Sequence, residues 1–245
     1  MEFVDCVRSR KSVRAFTPDP VDRKIVEDLL EIARHAPSGT NVQPWKVHVV
    51  MGEARDRLVR EVLAHRETRP ADNIAEFPRS SKRKEPYLSR MRTLGKHMYS
   101  LLGIPKGDQQ ANWNQWGRNY EFFDAPVGLI FTLDKDLDSM AFIDLGIFMQ
   151  TIMLAAHDQG LATCAQGAWN QFYTVTRRVL DIPEDQYIIA GMSLGHADPS
   201  APVNSLVAER EPVASFATFH EHQAPILPKL PSALCSSQPI RSFRE

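Results

Sequence analysis

Apolar residues recur at helical spacing near the start of the chain. The apolar positions within residues 3–7 predict a short helix that leads into a basic cluster. A longer helix is expected to begin at Asp19-Pro20, with aspartate as the N-cap and proline in the first turn, and to end before Pro37. Its apolar stripe follows the helical period and is formed by Ile25, Val26, Leu29, Leu30, Ile32, Ala33 and Ala36.

A strand, a helix and a polar excursion are predicted next. Residues 46–51 (Lys-Val-His-Val-Val-Met) predict a buried strand, and residues 53–66 predict an amphipathic helix. Residues 68–117 are polar, charged and without clean periodicity, apart from a helix expected at 86–102. We interpret this stretch as a lid over a site, because long segments between core elements commonly carry function. A surface insertion without a functional role is the alternative.

The second half of the chain predicts three more buried elements and a short helix. Residues 127–133 and 187–195 predict strands, and residues 161–169 predict a short strand that runs into a Gln-Gly turn. Residues 175–180 predict a short helix. Residues 141–159 predict a long helix that is apolar almost all round, and such a helix is buried either in a large core or against a second subunit.

Composition limits the kind of protein that these elements build. A chain of 245 residues and 27.7 kDa with 43% hydrophobic residues can bury a large core, which we place at residues 1–223. Residues 224–245 carry four prolines and scattered apolar residues, so they predict an extended arm or a disordered tail. The formal net charge of −1 gives no general case for binding nucleic acid or an anionic membrane surface.

Cysteines and apolar runs indicate the compartment. Cys6, Cys164 and Cys235 are few, odd in number and far apart, which argues against a disulfide framework or a structural zinc site. The N-terminus shows no signal-peptide pattern, and no stretch approaches the roughly 20 apolar residues of a membrane span. We therefore expect a soluble, cytoplasmic protein without a membrane partner.

A rigid polar loop joins the second helix to the first strand. Residues 36–45 (Ala-Pro-Ser-Gly-Thr-Asn-Val-Gln-Pro-Trp) combine two prolines, a glycine and several fixed hydrogen-bonding groups. Such a loop presents its backbone and side-chain donors to a ligand. An ordinary helix-to-strand connection that happens to be polar is the alternative.

The basic cluster near the start of the chain is a candidate anion site. In an extended segment Arg10, Ser12 and Arg14 share one face, while Lys11 and Val13 lie on the other. Two guanidinium groups that flank a hydroxyl suit a phosphate, because the planar fork of arginine matches phosphate oxygens. A solvated basic turn is the alternative.

The chain has no side-chain set for self-contained catalysis or for a metal. The pair His220 and His222 lacks acidic or thiolate company, and Cys164 has no histidine placed to activate it, so we expect that cysteine to be buried. Aromatic residues in 118–126 either line the pocket of a flat ligand or belong to the core. An enzyme-sized chain of this kind suggests that a cofactor carries the reaction.

Four motifs in this order resemble the flavin-dependent nitroreductase family over about residues 3 to 220. The second motif is especially similar to the nitrobenzoate and nitrobenzene reductase branch. The motifs are Arg10-Lys11-Ser12-Val13-Arg14-x-Phe16, the loop 36–45, Thr163-Cys-Ala-Gln-Gly-Ala-Trp169, and Asn204 with Arg210-Glu-Pro212.

The resemblance implies a fold and an assembly. It implies an α+β, three-layer fold with a central mixed or antiparallel sheet of four to five strands, flanked by helices. It also implies an entwined homodimer with one FMN at each subunit interface. A large dimer interface would give the apolar helix 141–159 its partner.

The resemblance also assigns residues to the cofactor. Arg10, Lys11, Ser12 and Arg14 would hold the FMN phosphate and ribityl chain together with Arg210, and Gln166 and Gly167 would lie along the flavin ring. Some family members carry a lysine where this chain has Ala208, so the phosphate would depend on the remaining cations. The loop residues that would reach the flavin of the other subunit are Pro37, Ser38, Gly39, Asn41 and Gln43.

The implied activity is an NAD(P)H-dependent, ping-pong reduction of nitroaromatic or related electron-poor acceptors such as quinones. No side chain would act as acid or base and no metal is required, since the flavin carries the chemistry. Phe122, Phe123 and Trp169 would be walls of the acceptor pocket, and helix 86–102 its cover. Reductive dehalogenation or flavin destruction on the same fold, a non-catalytic flavin-binding protein and a cofactor-free interaction protein are the alternatives.

Overall fold

Four strands form the central sheet, in the order β1-β2-β4-β3, and each neighbouring pair is antiparallel. The computed structural model describes residues 1–68, 75–76 and 83–220. This sheet is the antiparallel form of the predicted α+β architecture. In chain order the strands are β1 (Lys46–Met51), β2 (Val127–Asp134), β3 (Ala162–Gln166) and β4 (Gln186–Gly195).

Helices lie on both faces of the sheet, which gives the expected three layers. On one face α2 and α6 pack over alternate residues of β2, among them Leu129 and Phe131, and on the other α3 and α7 pack over Ile130. The helices of the described residues are α1 (Phe3–Ser9), α2 (Arg23–Ala33), α3 (Gly52–Thr68), α4 (Tyr87–Leu101), α5 (Gln109–Gly117), α6 (Met140–Asp158) and α7 (Tyr173–Leu180).

The chain divides into two compact units. The first comprises Met1–Ala208 and holds the sheet and all of the helices α1 to α7. The second begins at Glu209, and its described part, up to residue 220, contains a single short 3₁₀ turn at Val213–Ser215. The predicted tail 224–245 and its boundary at residue 223 lie outside the described residues, and so does Cys235.

The second helix begins later than predicted. It starts at Arg23 with Asp22 as the N-cap residue, so the expected start at Asp19-Pro20 is wrong by one helical turn. The carboxylate of Asp19 instead accepts a hydrogen bond from the hydroxyl of Thr17, at 2.7 Å. Val21 is buried ahead of the helix, which holds the preceding chain against the core.

The first strand is less buried than its apolar sequence predicts. Among the described residues, β1 is at the edge of the sheet and pairs with β2 alone. Val50 is buried, whereas Val49 is 39% exposed on the opposite face. An edge strand can keep one face open even when its residues are apolar, and this explains the discrepancy.

The excursion contains the predicted helix and one more. α4 matches the helix expected at 86–102, whereas α5 lacks a clear apolar period and was not predicted. The buried guanidinium of Arg66 on α3 lies 3.5 Å from the centre of the Trp113 ring, so a cation–π contact fixes α5 against α3. Residues 69–74 and 77–82 of the excursion lie outside the described residues.

Glu76 joins the excursion to the end of the sheet. Its carboxylate contacts the guanidinium of Arg177 at 2.7 Å and the ammonium of Lys135 at 3.0 Å, and it accepts the backbone N–H of Ile188 at 3.0 Å. Its own N–H donates to the carbonyl of Asn170 at 3.2 Å. The excursion is therefore fixed to the core at a point between α3 and α4.

The apolar helix α6 is only partly covered within one protomer. Its inner face, which includes Leu145, Phe148 and Ile152, packs in the core, whereas Ile143 and Ile147 remain 55% and 37% exposed. By length and composition alone Met140–Asp158 could cross a membrane, with a mean hydropathy of 1.5, but core helices of soluble proteins pass the same test. Its packing against α2 and the sheet is that of a core helix.

Candidate functional site

The basic segment 10–14 extends the sheet beside β3. Ser12 forms a parallel bridge with Thr163, and the N–H of Val13 donates to the carbonyl of Thr163 at 3.0 Å. Val13 is buried, so the neighbouring residues of the segment point away from the core. The pairing places the basic residues next to the strand that ends at Gln166.

Ser12 and Arg14 are linked within this segment, because the Arg14 guanidinium donates to the Ser12 carbonyl at 3.3 Å. Burial raises the pKa of the neighbouring Cys164 thiol above its ordinary value, although Arg14, Ser12 and Arg10 lower it, so the cysteine is an uncharged core residue. Val13 is buried between the half-buried Ser12 and Arg14, which agrees with the predicted alternation, whereas Lys11 is exposed.

Asn204 fixes the backbone of the basic segment. Its side-chain oxygen accepts the N–H of Arg14 at 2.9 Å, and its amide donates to the carbonyl of Ala15 at 2.8 Å. Its own carbonyl accepts a hydrogen bond from the ammonium of Lys11. Lys11 thus points toward the 202–205 turn.

The turn after β3 combines a buried glutamine with an exposed glycine. The side-chain amide of Gln166 donates to the carbonyl of Asn119 at 2.7 Å, and its oxygen accepts the hydroxyl of Ser193 at 2.9 Å. Because both ends of this side chain are engaged inside the protein, Gln166 can contact a ligand only through its backbone. Gly167 is exposed, and without a side chain it permits close approach.

The loop that precedes β1 has an unusual backbone. Thr40, Asn41 and Gln43 have φ values of 47°, 61° and 51°, in the left-handed region that residues with side chains seldom occupy. The hydroxyl of Ser38 accepts the N–H of Gln43 at 3.0 Å, and the N–H of Gly39 donates to the Asp144 carboxylate on α6 at 3.1 Å. Asn41 and Gln43 are exposed and available to a ligand.

The loop and the basic segment lie at opposite ends of α6. The loop contacts Asp144 near the start of the helix, whereas Ser9, which precedes the basic segment, hydrogen-bonds His157 near its end. An α-helix rises about 1.5 Å per residue, so the two contacts are about 20 Å apart along the axis. Within one protomer the two groups of candidate residues are therefore separate.

A cavity of about 250 Å³ lies beside Arg14 under the excursion. The α4 side of it is formed by methionine, leucine and tyrosine side chains, and Phe123 closes another side. Its lining residues are Arg14, Met91, Leu94, Gly95, Met98, Tyr99, Gln115, Trp116, Asn119 and Phe123.

Two of the three aromatic residues expected at the pocket wall lie in the core instead. Phe122 and Trp169 have no exposed surface, and their rings stack with centroids 4.5 Å apart. Phe122 also covers Gly128 and Trp169 covers Gly191, where in each case a Cβ atom would collide with the ring. Only Phe123 borders the cavity.

Comparison with known proteins gives the family. The sequence model described as the nitroreductase family matches residues 7–196 of this chain. The chain belongs to the nitroreductase family. This match covers the basic segment, the loop, the cavity and the turn after β3.

Two characterised relatives of this nitroreductase-family chain are similar over most of their length. A 4-nitrobenzoate reductase of Pseudomonas putida is 41% identical over 219 residues, covering 89% of this chain and 95% of the relative. A nitrobenzene nitroreductase of Ectopseudomonas oleovorans is 40% identical, covering 89% and 96%. Among solved structures, the FMN and NADPH-dependent nitroreductase NfnB from Sphigopyxis sp. strain HMH superposes with a TM-score of 0.86 at 32% identity, covering 91% of this chain and 100% of that one.

The sequence did not reveal two of the residues that shape this site. Asp144 is the only acidic residue between Met140 and His157, in a helix that is otherwise largely apolar. A single carboxylate in such a helix could have indicated a specific hydrogen-bonding role. Trp116 on α5 borders the cavity, but the weak period of α5 gave no indication of its orientation.

Proposed function

We propose that this chain is an FMN-dependent NAD(P)H oxidoreductase that reduces nitroaromatic and related electron-poor aromatic acceptors. The observation that carries the proposal is the pairing of the basic segment, which contains Arg10, Ser12 and Arg14, with Thr163 on β3. The activities named for the two relatives, at about 40% identity, and the cofactors named for the solved neighbour support it.

The donor set fits the phosphate end of FMN. Two guanidinium groups and one hydroxyl on one face suit a phosphate ester, because they supply charge and directed donors. We place the phosphate and ribityl chain against Arg10, Ser12 and Arg14, and we assign Arg210 to the same phosphate. Lys11 is bonded to the carbonyl of Asn204, so it supports the site by holding the segment in place.

We place the flavin ring along Gln166 and Gly167 and between two subunits. Pro37, Ser38, Gly39, Asn41 and Gln43 lie about 20 Å from the basic segment along α6 of their own protomer, so they are better placed to reach a cofactor held by a second copy. The exposed Ile143 and Ile147 give α6 an apolar outer face that a second copy would cover. The protein is thus proposed to be a homodimer.

The cavity under α4 is proposed as the acceptor site. At about 250 Å³ it is slightly below the roughly 300–1,000 Å³ of pockets for drug-sized ligands, which suits a single-ring acceptor. Phe123 forms part of its wall and α4 covers it, whereas Phe122 and Trp169 belong to the core cluster behind it and do not line the cavity.

The chain binds and orients the reactants. When bound, FMN supplies two-electron transfer from NAD(P)H to the acceptor, and a nitro group is reduced through nitroso to hydroxylamine. The lining residues of the cavity include no carboxylate, thiol or imidazole, so within the described part of the chain no such group there is placed to transfer a proton. The apolar wall on α4 excludes water and stacks the acceptor.

A substrate panel tests the proposal. We expect the purified protein to be yellow, and to oxidise NADH or NADPH steadily only when a nitrobenzoate or nitrobenzene is present. Double-reciprocal plots at several acceptor concentrations should be parallel, since the two substrates use one cavity in turn. Colourless protein that neither binds FMN nor oxidises NAD(P)H would contradict the proposal, and flavin-loaded protein without turnover would favour a binding protein.

The cofactor assignment predicts loss of FMN from the variant Arg14→Ala/Arg210→Ala. A hydrogen bond to a charged group contributes about 1.5–3 kcal/mol, so removing two should weaken FMN binding about 100-fold or more. Fluorescence titration of the apoprotein measures the affinity. The control is Arg34→Ala/Arg178→Ala, which removes two exposed arginines whose ion pairs are with the exposed carboxylates of Glu31 and Glu61. A double variant that retains wild-type affinity would exclude the phosphate assignment.

A further inference from the structure

The loop at residues 37–45 needs support from outside itself to keep its shape. Three closely spaced residues of the loop have positive φ although they are not glycine. They are Thr40, Asn41 and Gln43. Such conformations persist only where the surrounding structure determines them. Within the loop, the N–H groups of Asn41 and Val42 bond back to the carbonyls of Ser38 and Gly39, which closes a short turn but does not attach it to the core.

Helix α6 attaches the loop at two points one helical turn apart. The Asp144 carboxylate accepts the N–H of Gly39 at 3.1 Å, near the beginning of the loop. At the end of the loop the Trp45 ring stacks on Phe148, with centroids 4.7 Å apart and planes inclined by 7°. Residues four apart share one face of a helix, so Asp144 and Phe148 hold the loop from the same side.

Asp144 is an unexpected residue at this position. It is buried between Ala141, Leu145 and Phe148 on the inner face of α6, where a carboxylate is costly unless it is hydrogen-bonded. The Gly39 N–H supplies such a bond. An apolar residue would pack at least as well in the core, so the packing of the helix alone does not account for the carboxylate.

We infer that Asp144 is a positioning residue for the cofactor site. Through the Gly39 N–H it sets the position of the loop, and the loop then presents Ser38, Asn41 and Gln43 to the flavin. This inference rests on the proposed function, because the loop residues are assigned to the flavin there. Asp144 itself contacts neither cofactor nor substrate in this arrangement.

The test compares Asp144→Leu, which keeps the branching at Cγ but has no acceptor, with Asp144→Asn, whose amide oxygen can still accept the Gly39 N–H. The control is Asp136→Asn, which changes an exposed carboxylate in the turn before α6. Three quantities are measured: hydrogen exchange of residues 37–45 in the apoprotein, the FMN dissociation constant, and the visible circular dichroism of the bound flavin.

We expect Asp144→Leu to speed exchange of the loop, to weaken FMN binding about tenfold and to change the flavin dichroism, because a charge-assisted hydrogen bond is lost. Asp144→Asn should stay within about threefold of wild type, since a neutral acceptor remains. The control variant should match wild type in all three measurements.

Two results would overturn the inference. One is unchanged loop exchange in Asp144→Leu, and the other is faster exchange with unchanged FMN affinity and dichroism. If Asp144→Leu does not fold, Asp144→Ser, whose short side chain cannot span the distance to Gly39, takes its place under the same criteria. Wild-type protein that binds no FMN would instead refute the proposed function, and loop exchange would still test the Asp144 contact.

Discussion

Glycine residues on the strands determine how closely the core packs around Trp169. At Gly191 on β4 a Cβ atom would lie 2.7 Å from the indole nitrogen of Trp169, closer than real Cβ contacts come. The Trp169 ring also stacks on Phe122, which in turn covers Gly128. Glycine on the strands thus makes room for two large rings.

We therefore predict that Gly191→Ala destabilises the protein by about 2 kcal/mol, the usual cost of overpacking a core. For a chain of this length that lowers Tm by about 4–8 °C. Thermal unfolding at fixed protein and FMN concentrations measures it. The control is Gly95→Ala on α4, where the structure leaves open space, and there alanine should raise the stability by about 0.5–1 kcal/mol. Equal effects of the two substitutions would contradict the steric explanation.

Two neighbouring arginines on α7 form ion pairs that differ in burial. Burial determines how much such a pair contributes to the stability of the fold. The side chains of Arg177 and Glu76 are both 7% exposed, whereas those of Arg178 and Glu61 are 65% and 44% exposed. A buried charge that loses its partner is strongly destabilising, but an exposed pair is screened by water.

We predict that Glu76→Gln lowers the free energy of unfolding by about 3 kcal/mol, because Arg177 is left buried with less compensation. The matched variant Glu61→Gln should change it by less than about 1 kcal/mol. Urea unfolding followed by circular dichroism gives both values. A loss in Glu76→Gln no greater than that in Glu61→Gln would show that the excursion is not held by this ion pair.

At the scale of elements, most of the fold could be predicted because the signals are local. The strands at 127–133 and 187–195 and the helix at 141–159 were found from apolar runs and lengths, and each is present within a residue or two at either end. The start of α2 was misplaced because Asp19-Pro20 has the composition of a helix start, while a contact with Thr17 and the burial of Val21 decide the outcome. The burial of Val21 depends on the rest of the fold, so it leaves no local pattern.

The candidate site could be predicted only in part, for a similar reason. Alternation predicted one shared face for Arg10, Ser12 and Arg14, since that rule depends on neighbouring residues alone, and Val13 between them is buried. The sequence could not show that Lys11 bonds to the carbonyl of Asn204, or that Gln166 is engaged by Asn119 and Ser193. It also could not separate Phe123, which borders the cavity, from Phe122, which does not, because both rings are buried.

At the scale of the whole molecule, the exposed apolar face of α6 determines the assembly that we expect. Ile147→Lys would place a charge where the proposed interface excludes water, and this should raise the dimer dissociation constant about 100-fold or more. Sedimentation velocity with detection at the flavin absorbance measures mass and cofactor together. We expect the monomers that form to lack flavin, because each site would draw on both subunits.

The control for this prediction is Ile32→Lys, which places the same charge at an exposed isoleucine of α2. It should leave the dimer and its flavin unchanged. A stable Ile147→Lys dimer would contradict the proposed interface, and a monomer that retains its full flavin complement would contradict a site shared between subunits.

The pairing of the basic segment has a consequence for synthesis of the protein. Arg14 near the start of the chain is held by Asn204, which follows it by 190 residues, and Ser12 is held by Thr163. Contacts between such distant parts of a chain form late, because the intervening loop must first be closed. The proposed phosphate-binding face therefore cannot assemble on the ribosome until nearly the whole of the first unit has emerged. We accordingly expect cofactor insertion to follow translation.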